Sequence, residues 1–272
     1  LRPRNRGAFP SFIPHPSTQR RRRRRVEVNF MDLSIVIPVH NERDNVATLA
    51  DEIQAALGGK LDFEVIFVDD ASTDDTFAVL QDLCAQKGPN WHVVRHERNA
   101  GQSAALLTGA LAAQGAWIGT LDGDGQNDPA DLWRFWTLVQ QESDPPDMVI
   151  GHRVDRHDTW IRRLSSRIAN AVRSALLHDG VPDSGCGVKL IRRELFLRLP
   201  YFDHFHRFLP ALVRREGGRV VSMPVHHRPR RHGTSKYGIG NRLWVGLVDL
   251  FGVWWLLHRR RLPYPSRHGE QR

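Results

Sequence analysis

Apolar positions along the chain fall into two alternating rhythms. "LSIVI" (33–37) is a short β-branched run closed by Pro38, and "FEVIFV" (63–68), "WHVVRH" (91–96), "AWIGTL" (116–121) and "DMVIG" (147–151) are runs of the same kind. Each is short, rich in apolar residues and bounded by polar or chain-breaking residues, as buried strands are. Between them, apolar residues recur every three or four positions. "NERDNVATLADEIQAAL" stops at Gly58 and Gly59, and "STDDTFAVLQDLCAQKG" opens on hydroxyl and acidic residues. "GQSAALLTGALAAQG" (101–115) is built of small residues fit to pack closely on a sheet, and "PADLWRFWTLVQQ" has proline near its start. These four segments predict helices. Strands without a polar face, alternating with helices, predict a mostly parallel sheet with helices on both faces.

Polar clusters follow the strands: "PVHNE" after the first, "DDAS" after the second, "DGDGQ" after the fourth and "GHR" after the fifth. Ligands bind open α/β sheets at the carboxyl ends of the strands. Loops are polar in any case, which explains one cluster; four at one edge point to a site. Beyond residue 152 the rhythm changes. "TWIRRLSSRIANAVRSALL" predicts a helix with basic residues interleaved, "DSGCGVKLIRRELF" a turn, short strand and helix start, and "GRVVSMPVHH" (218–227) a strand before the basic loop "RPRRHGTSKYG".

The last apolar stretch, "LWVGLVDLFGVWWLL" (243–257), holds a single charge, Asp249, and runs into "HRRR". As a helix it spans about 22 Å, short of the roughly 30 Å of bilayer hydrocarbon. Its tryptophans and the arginines behind them fit an interfacial or re-entrant membrane helix better than a full span. The alternative is a core helix docked on the domain.

Charge sharpens the division of the chain. The net charge is +9 over 272 residues. Residues 1–30 hold nine arginines against Glu27 and residues 258–272 hold five against Glu270, so residues 31–257 carry −3. The body is therefore no nucleic-acid-binding surface on charge grounds, and no specific nucleic-acid partner is expected. The Arg/Pro-rich segment 1–30 lacks apolar periodicity and reads as disordered. It also lacks the apolar core of a secretory signal. Met31 stands directly before the first strand, so residues 1–30 read as upstream of the functional unit; a basic arm for RNA or anionic lipid is the alternative. Cys84 and Cys186 form no paired metal motif, and a reducing cytoplasmic setting is the default expectation. Apolar residues make up 40% of the chain, enough for a substantial core.

The chemistry centres on "TLDGDGQNDP" (120–129), where Asp122, Asp124 and Asp128 gather in a glycine- and proline-rich turn after an apolar run. An Asp-x-Asp turn supplies hard oxygen ligands suited to Mg2+ or Mn2+, which substrate phosphates usually complete. Alone, such a turn is often only solvated. Glu42 and Asp70 could accept hydrogen bonds from a base or ribose, as acidic residues do in dinucleotide sites. Either Asp69 or Asp70 also suits a cap ahead of "STDDT". No G-x-G-x-x-G follows the first strand and no G-x-x-x-x-G-K-[ST] or G-x-S-x-G occurs. Those absences argue against nicotinamide dehydrogenases, P-loop NTPases and α/β-hydrolases.

Taken together, "SIVIPVHNE", "VDDASTD", "GTLDGDGQNDP", "GHR" and "RPRRHGTSKYG" resemble the family 2 glycosyltransferases, and within them the polyprenyl-phosphate, dolichol-phosphate-mannose synthase type. The resemblance covers about residues 33 to 240. It implies a glycosyltransferase A fold and inverting transfer of a single sugar from a GDP- or UDP-linked donor to a polyprenyl phosphate at the cytoplasmic membrane face. The alternative is a soluble family 2 enzyme acting on a saccharide. By matching position, the resemblance assigns Pro38, His40, Glu42, Val68 and Asp70 to the base and ribose. It makes Asp122, Gly123 and Asp124 the D-x-D turn, with Asp124 and Gln126 as ligands of Mg2+ or Mn2+. It sets Arg153 on the donor diphosphate, Arg162 and Ser166 of "IRRLSS" on the acceptor phosphate, and Arg230 and Lys236 over the donor phosphates. Asp183 of "PDSGCG" either positions a sugar hydroxyl or acts as a base, or only caps a turn.

Two positions depart from the family pattern. Tyrosine is common where His40 stands, and alanine where Gly123 stands, the glycine implying more backbone freedom. The Q-x-x-R-W motif of processive synthases is absent, as single-sugar transfer would have it. The expected division is a tail over 1–30, a catalytic domain over 31–240, and an apolar helix with a basic tail over 241–272.

Overall fold

A computed structural model describes residues 31–154, 173–226, 228–229 and 240–259, the last stretch with side chains from residue 246. Seven strands form one sheet: β1 (Leu33–Val39), β2 (Phe63–Asp69), β3 (Trp91–Arg95), β4 (Trp117–Thr120), β5 (Met148–Arg153), β6 (Lys189–Arg192) and β7 (Val220–Val225). Their order is β3-β2-β1-β4-β6-β5-β7. β1 pairs in parallel with both β2 and β4, β3 with β2, and β7 with β5. β6 runs antiparallel to β4 and β5. This is a mixed α/β, glycosyltransferase A-like arrangement.

The central strands are apolar because both faces of the sheet are covered. Every residue of β2 is buried, Glu64 included. A buried carboxylate needs donors, and Glu64 has them in the Ser34 hydroxyl and the Gln114 amide, both at 2.6 Å. Helices α1 (Arg43–Leu57), α2 (Thr76–Lys87) and α4 (Ala130–Gln141) follow β1, β2 and the acidic turn, and α1 packs on both of the others. α1 buries Val46, Leu49, Ala50, Ile53 and Leu57, one stripe at helical spacing. α3 (Gly101–Ala112) lies on β1 and β2; a Cβ on Gly109 would stand 2.3 Å from Val36 Cγ1, so the small-residue run does serve close approach. Two further short helices among the described residues are α5 (Arg193–Arg198) and α6 (Leu209–Arg215). Residues 173–177 are helical; the remainder of the basic helix expected around "IRRLSS" lies outside the described residues.

The last helix, α7 (Gly240–His258), has two apolar faces. Leu250 and Val253 are buried in the common core, and Leu256 and Leu257 pack against it. The awkward charge faces protein: Asp249 Oδ2 lies 3.2 Å from His204 Nδ1. Arg215 Nε donates to the Leu256 carbonyl at 3.3 Å. On the other face Val248, Phe251 and Trp255 are 68%, 60% and 55% exposed. Among the described residues no helix is long and apolar enough to cross a membrane.

Candidate active site

The loops after β1 and β2 are stitched together by side chains. Asn41, in the left-handed region at φ 56°, accepts from the Thr73 amide at 2.7 Å, while its own amide donates to Ser72 Oγ at 2.9 Å. The Glu42 amide donates to Thr76 Oγ1 at 2.9 Å, and the Glu42 carboxylate accepts from Asn45 Nδ2 at 2.7 Å. Neither Asp69 nor Asp70 caps α2: Asp69 closes a turn by accepting from the Ser72 amide at 3.2 Å and meets Arg95 Nε at 3.2 Å, and it is Asp74 that accepts from the Thr76 amide at 3.0 Å.

Asp70 has a different task. Its carboxylate accepts from the amides of Ala100 and Gly101 and from His96 Nδ1, each at 2.8 Å. α3 has no side-chain cap of its own, so an acid from the end of β2 covers the unpaired amides at its positive end. The Asp70 carbonyl oxygen is 2.9 Å from His40 Nδ1. A carbonyl only accepts, so Nδ1 carries the hydrogen, which fixes the orientation of the ring. Pro38 and Val68 sit paired across β1 and β2. Val68 is wholly buried, main chain included, so it offers no surface to a base or ribose, contrary to the expected role.

The acidic turn leaves the end of β4. The Asp122 amide donates to Asn127 Oδ1 at 2.8 Å, and Asp122 Oδ1 accepts from Gln102 Nε2 of α3 at 2.9 Å. Asp124 Oδ1 accepts from the Gln126 amide at 3.1 Å, and Asp128 Oδ1 accepts from the Ala130 amide at 3.0 Å at the start of α4. Burial, then the neighbouring Asp124 charge, pushes the Asp122 carboxyl above its ordinary range. Crowded carboxylates of this kind are relieved by a cation. Gly123 is not in the left-handed region. Its hydrogen serves close approach instead of backbone freedom, since a Cβ would lie 2.6 Å from Val39 Cγ1 and 3.0 Å from the Pro38 carbonyl oxygen.

Opposite the turn, Arg153 at the end of β5 makes a two-pronged pair with Asp183, Nε to Oδ2 at 2.7 Å and Nη2 to Oδ1 at 3.0 Å. Burial alone would lower the guanidinium's affinity for its proton; the Asp183 bond and charge more than offset it. Lys189, the first residue of β6, is buried, and its ammonium donates to the Cys186 carbonyl. Burial pulls its pKa down, and the charges of Asp122 and Asp183 act in the opposite sense. Acidic turn, arginine and lysine thus share one edge of the sheet.

A model of glycosyl transferase family 2 matches residues 34–199. The chain belongs to this family. Among curated relatives, a dodecaprenyl-phosphate galacturonate synthase of Rhizobium johnstonii is 33% identical over 87% of this chain and 70% of its own length. An undecaprenyl-phosphate 4-deoxy-4-formamido-L-arabinose transferase of Enterobacter sp. is 34% identical over 75% of this chain, which spans 62% of that relative. Among solved structures, glucosyl-3-phosphoglycerate synthase from Mycobacterium tuberculosis in complex with Mn2+, UDP and phosphoglyceric acid aligns with a TM-score of 0.61. That match is 19% identical and covers 87% of this chain and 81% of the other. Mannosyl-3-phosphoglycerate synthase from Rubrobacter xylanophilus aligns at 0.63, with 16% identity over 87% and 78%. At those identities the solved structures establish the fold alone.

In this glycosyl transferase, Arg162, Ser166, Arg230 and Lys236 lie outside the described residues. His40, Glu42, Asp70, Asp122, Asp124, Gln126, Arg153 and Asp183 all fall at the carboxyl edge or on loops beside it. Gln102 and Lys189 escaped the sequence reading; each stands inside a segment with an ordinary helix or strand pattern. So did His206, whose Nδ1 lies 2.7 Å from the buried Ser103 hydroxyl, one residue from Gln102.

Burial, and after it the charges of Lys189, Arg207 and His204, hold His206 well below the usual value of 6.5. Because the folded chain binds this proton more weakly than the unfolded chain, its contribution is fully present above pH 6.5 and is lost as pH falls below it. His206→Gln is expected to flatten the dependence of Tm on pH on the acid side of that value. An unchanged slope would show that His206 does not titrate there.

Proposed function

We propose that this transferase moves a single sugar, with inversion, from a nucleotide diphosphate sugar to a polyprenyl phosphate. The observation that carries the reading is the opposition of the acidic turn to Arg153 and Lys189 at one sheet edge. The acceptor class follows the two curated relatives, both named for prenyl-phosphate transfer. In the reaction an acceptor phosphate oxygen attacks the anomeric carbon. The bond from that carbon to the diphosphate oxygen breaks, and the nucleoside diphosphate leaves with the electron pair. An acceptor that is already anionic needs no proton removed.

The enzyme's task is to hold two anions together and to receive the charge of the leaving group. Asp183 grips the Nε and Nη2 edge of Arg153 and so fixes its orientation. We assign the Nη1 edge to the donor diphosphate. Asp124 and Gln126 would hold Mg2+ or Mn2+, which supplies charge neutralisation at the diphosphate when bound. His40 and Glu42 serve the nucleoside, and Asp70 acts on it through the His40 ring it orients. Arg162 and Ser166 are assigned to the acceptor phosphate, and Arg230 and Lys236 to the donor phosphates.

The catalytic unit is residues 31–240, and α7 is its membrane-facing attachment at the cytoplasmic leaflet. The docked face of α7 with Leu250 and Val253 leaves Val248, Phe251 and Trp255 for lipid. Arg259, stacked 5.8 Å over the Trp255 ring, sits where anionic headgroups would be. Full burial of each large side chain is worth on the order of 1.5–3 kcal/mol. Phe251→Ser with Trp255→Ser is therefore expected to abolish flotation with anionic liposomes at unchanged Tm, since neither side chain is in the core. Undiminished flotation would remove this helix from the membrane account.

The reading is tested by a panel of radiolabelled UDP- and GDP-sugars offered undecaprenyl phosphate, dolichyl phosphate or a water-soluble saccharide. Label passing to the prenyl phosphate with one donor supports it. Label passing only to the saccharide contradicts it.

A further inference from the structure

Arg228 opens "RPRRHGTSKYG" two residues ahead of Arg230 and carries no role assigned by the resemblance, yet four polar contacts tie it to the acidic turn and to α1. Its amide donates to the Gln126 carbonyl at 3.0 Å, and Gln126 Nε2 returns a bond to the Arg228 carbonyl at 3.3 Å. Its guanidinium reaches Asp128 Oδ2 through Nη2 at 2.6 Å and Glu52 Oε2 of α1 through Nη1 at 2.8 Å. Asp128 is meanwhile held from its other oxygen by the Ala130 amide of α4 at 3.0 Å. The turn is therefore gripped at two points, by main chain at Gln126 and by side chain at Asp128.

The bond from Gln126 has a chemical consequence. The Arg228 carbonyl can only accept, so the amide nitrogen of Gln126 must face it. The amide oxygen then points to the other side of the group, which is the atom a hard cation takes. We infer that Arg228 is a positioning residue: it turns the Gln126 amide and braces the turn so that its oxygens receive a divalent cation carrying a nucleoside diphosphate. Arg228 touches neither ion nor nucleotide in this role. Burial alone would lower the guanidinium's affinity for its proton; the bonds and charges of Asp128 and Glu52 more than offset it. A lysine could not replace it, since a single ammonium lacks the planar fork that spans two carboxylates.

The inference rests on the proposed donor site, and binding separates the two. The full chain is titrated with Mn2+ in the presence of UDP and of GDP, with free Mn2+ followed by its paramagnetic resonance. Arg228→Ala is expected to weaken Mn2+ binding about tenfold, the usual loss when an outer partner of a metal ligand is removed. Arg228→Lys should recover only part of it. Asp128→Asn, which keeps an acceptor for α4, should weaken binding in the same direction and add little to Arg228→Ala. These milder variants carry the test if Arg228→Ala does not fold. A brace that only stabilises the fold would lower Tm and leave Mn2+ affinity unmoved, and that result overturns the inference while sparing the donor site. If the unaltered chain binds no Mn2+ with either nucleotide, both are overturned.

Discussion

Asp124→Asn is expected to lower kcat by about a hundredfold or more at saturating Mn2+, with an unchanged circular dichroism spectrum and Tm. The reasoning separates two tasks of one carboxylate. Asp124 Oδ1 shapes the turn by accepting from the Gln126 amide at 3.1 Å, and an asparagine oxygen can do the same. What the substitution removes is the negative charge and the second hard oxygen offered to a cation. The fold therefore survives while the leaving diphosphate loses the centre that would share its charge. A variant with more than a tenth of the normal kcat would show that Asp124 is a turn-former and not a ligand.

Gly187→Ala is expected to be as damaging, although the residue itself carries no chemistry. A Cβ built there would lie 2.1 Å from Asp122 Oδ2 and 2.7 Å from Asn127 Oδ1. Real Cβ atoms do not approach so closely, so the Asp122 carboxylate must be displaced and with it the start of the acidic turn. Overpacking of this sort costs about 1–3 kcal/mol of stability. A misplacement of about 1 Å in a reacting site costs on the order of a hundredfold in rate. The expected result is a fall in Tm of a few degrees beside a far larger fall in kcat/KM. Full activity in Gly187→Ala would mean that the position of Asp122 does not matter to transfer.

Gly187 also shows where sequence reading ends. The strands are legible in the chain because both faces of the sheet are covered and the runs "LSIVI" and "FEVIFV" carry that fact locally. The acidic turn is legible because three carboxylates gather where an apolar run ends, at the sheet edge where ligands bind. The pairing of Asp122 with Gln102, twenty residues away, and with Gly187, sixty-five away, has no local trace. The same holds for Asp70. Its place after an apolar run points to a ligand, yet its oxygens close the end of α3, thirty residues on. The antiparallel insertion of β6 between β4 and β5 is likewise invisible in "KLIR", because an apolar run states burial and not direction. In α7 the apolar pattern runs all round and does not tell the packed face from the exposed one. Only the burial of Leu250 and Val253 against the exposure of Phe251 and Trp255 separates the docked face from the free one.

The central claim is cation-dependent transfer of one sugar to a prenyl phosphate. It is tested most directly by measuring organic-extractable label from the donor found active in the panel, with undecaprenyl phosphate, in Mn2+ and in excess chelator. The account predicts a lipid carrying one sugar residue in Mn2+, no label above background in chelator, and recovery when Mn2+ is restored. Equal label with and without chelator would contradict it.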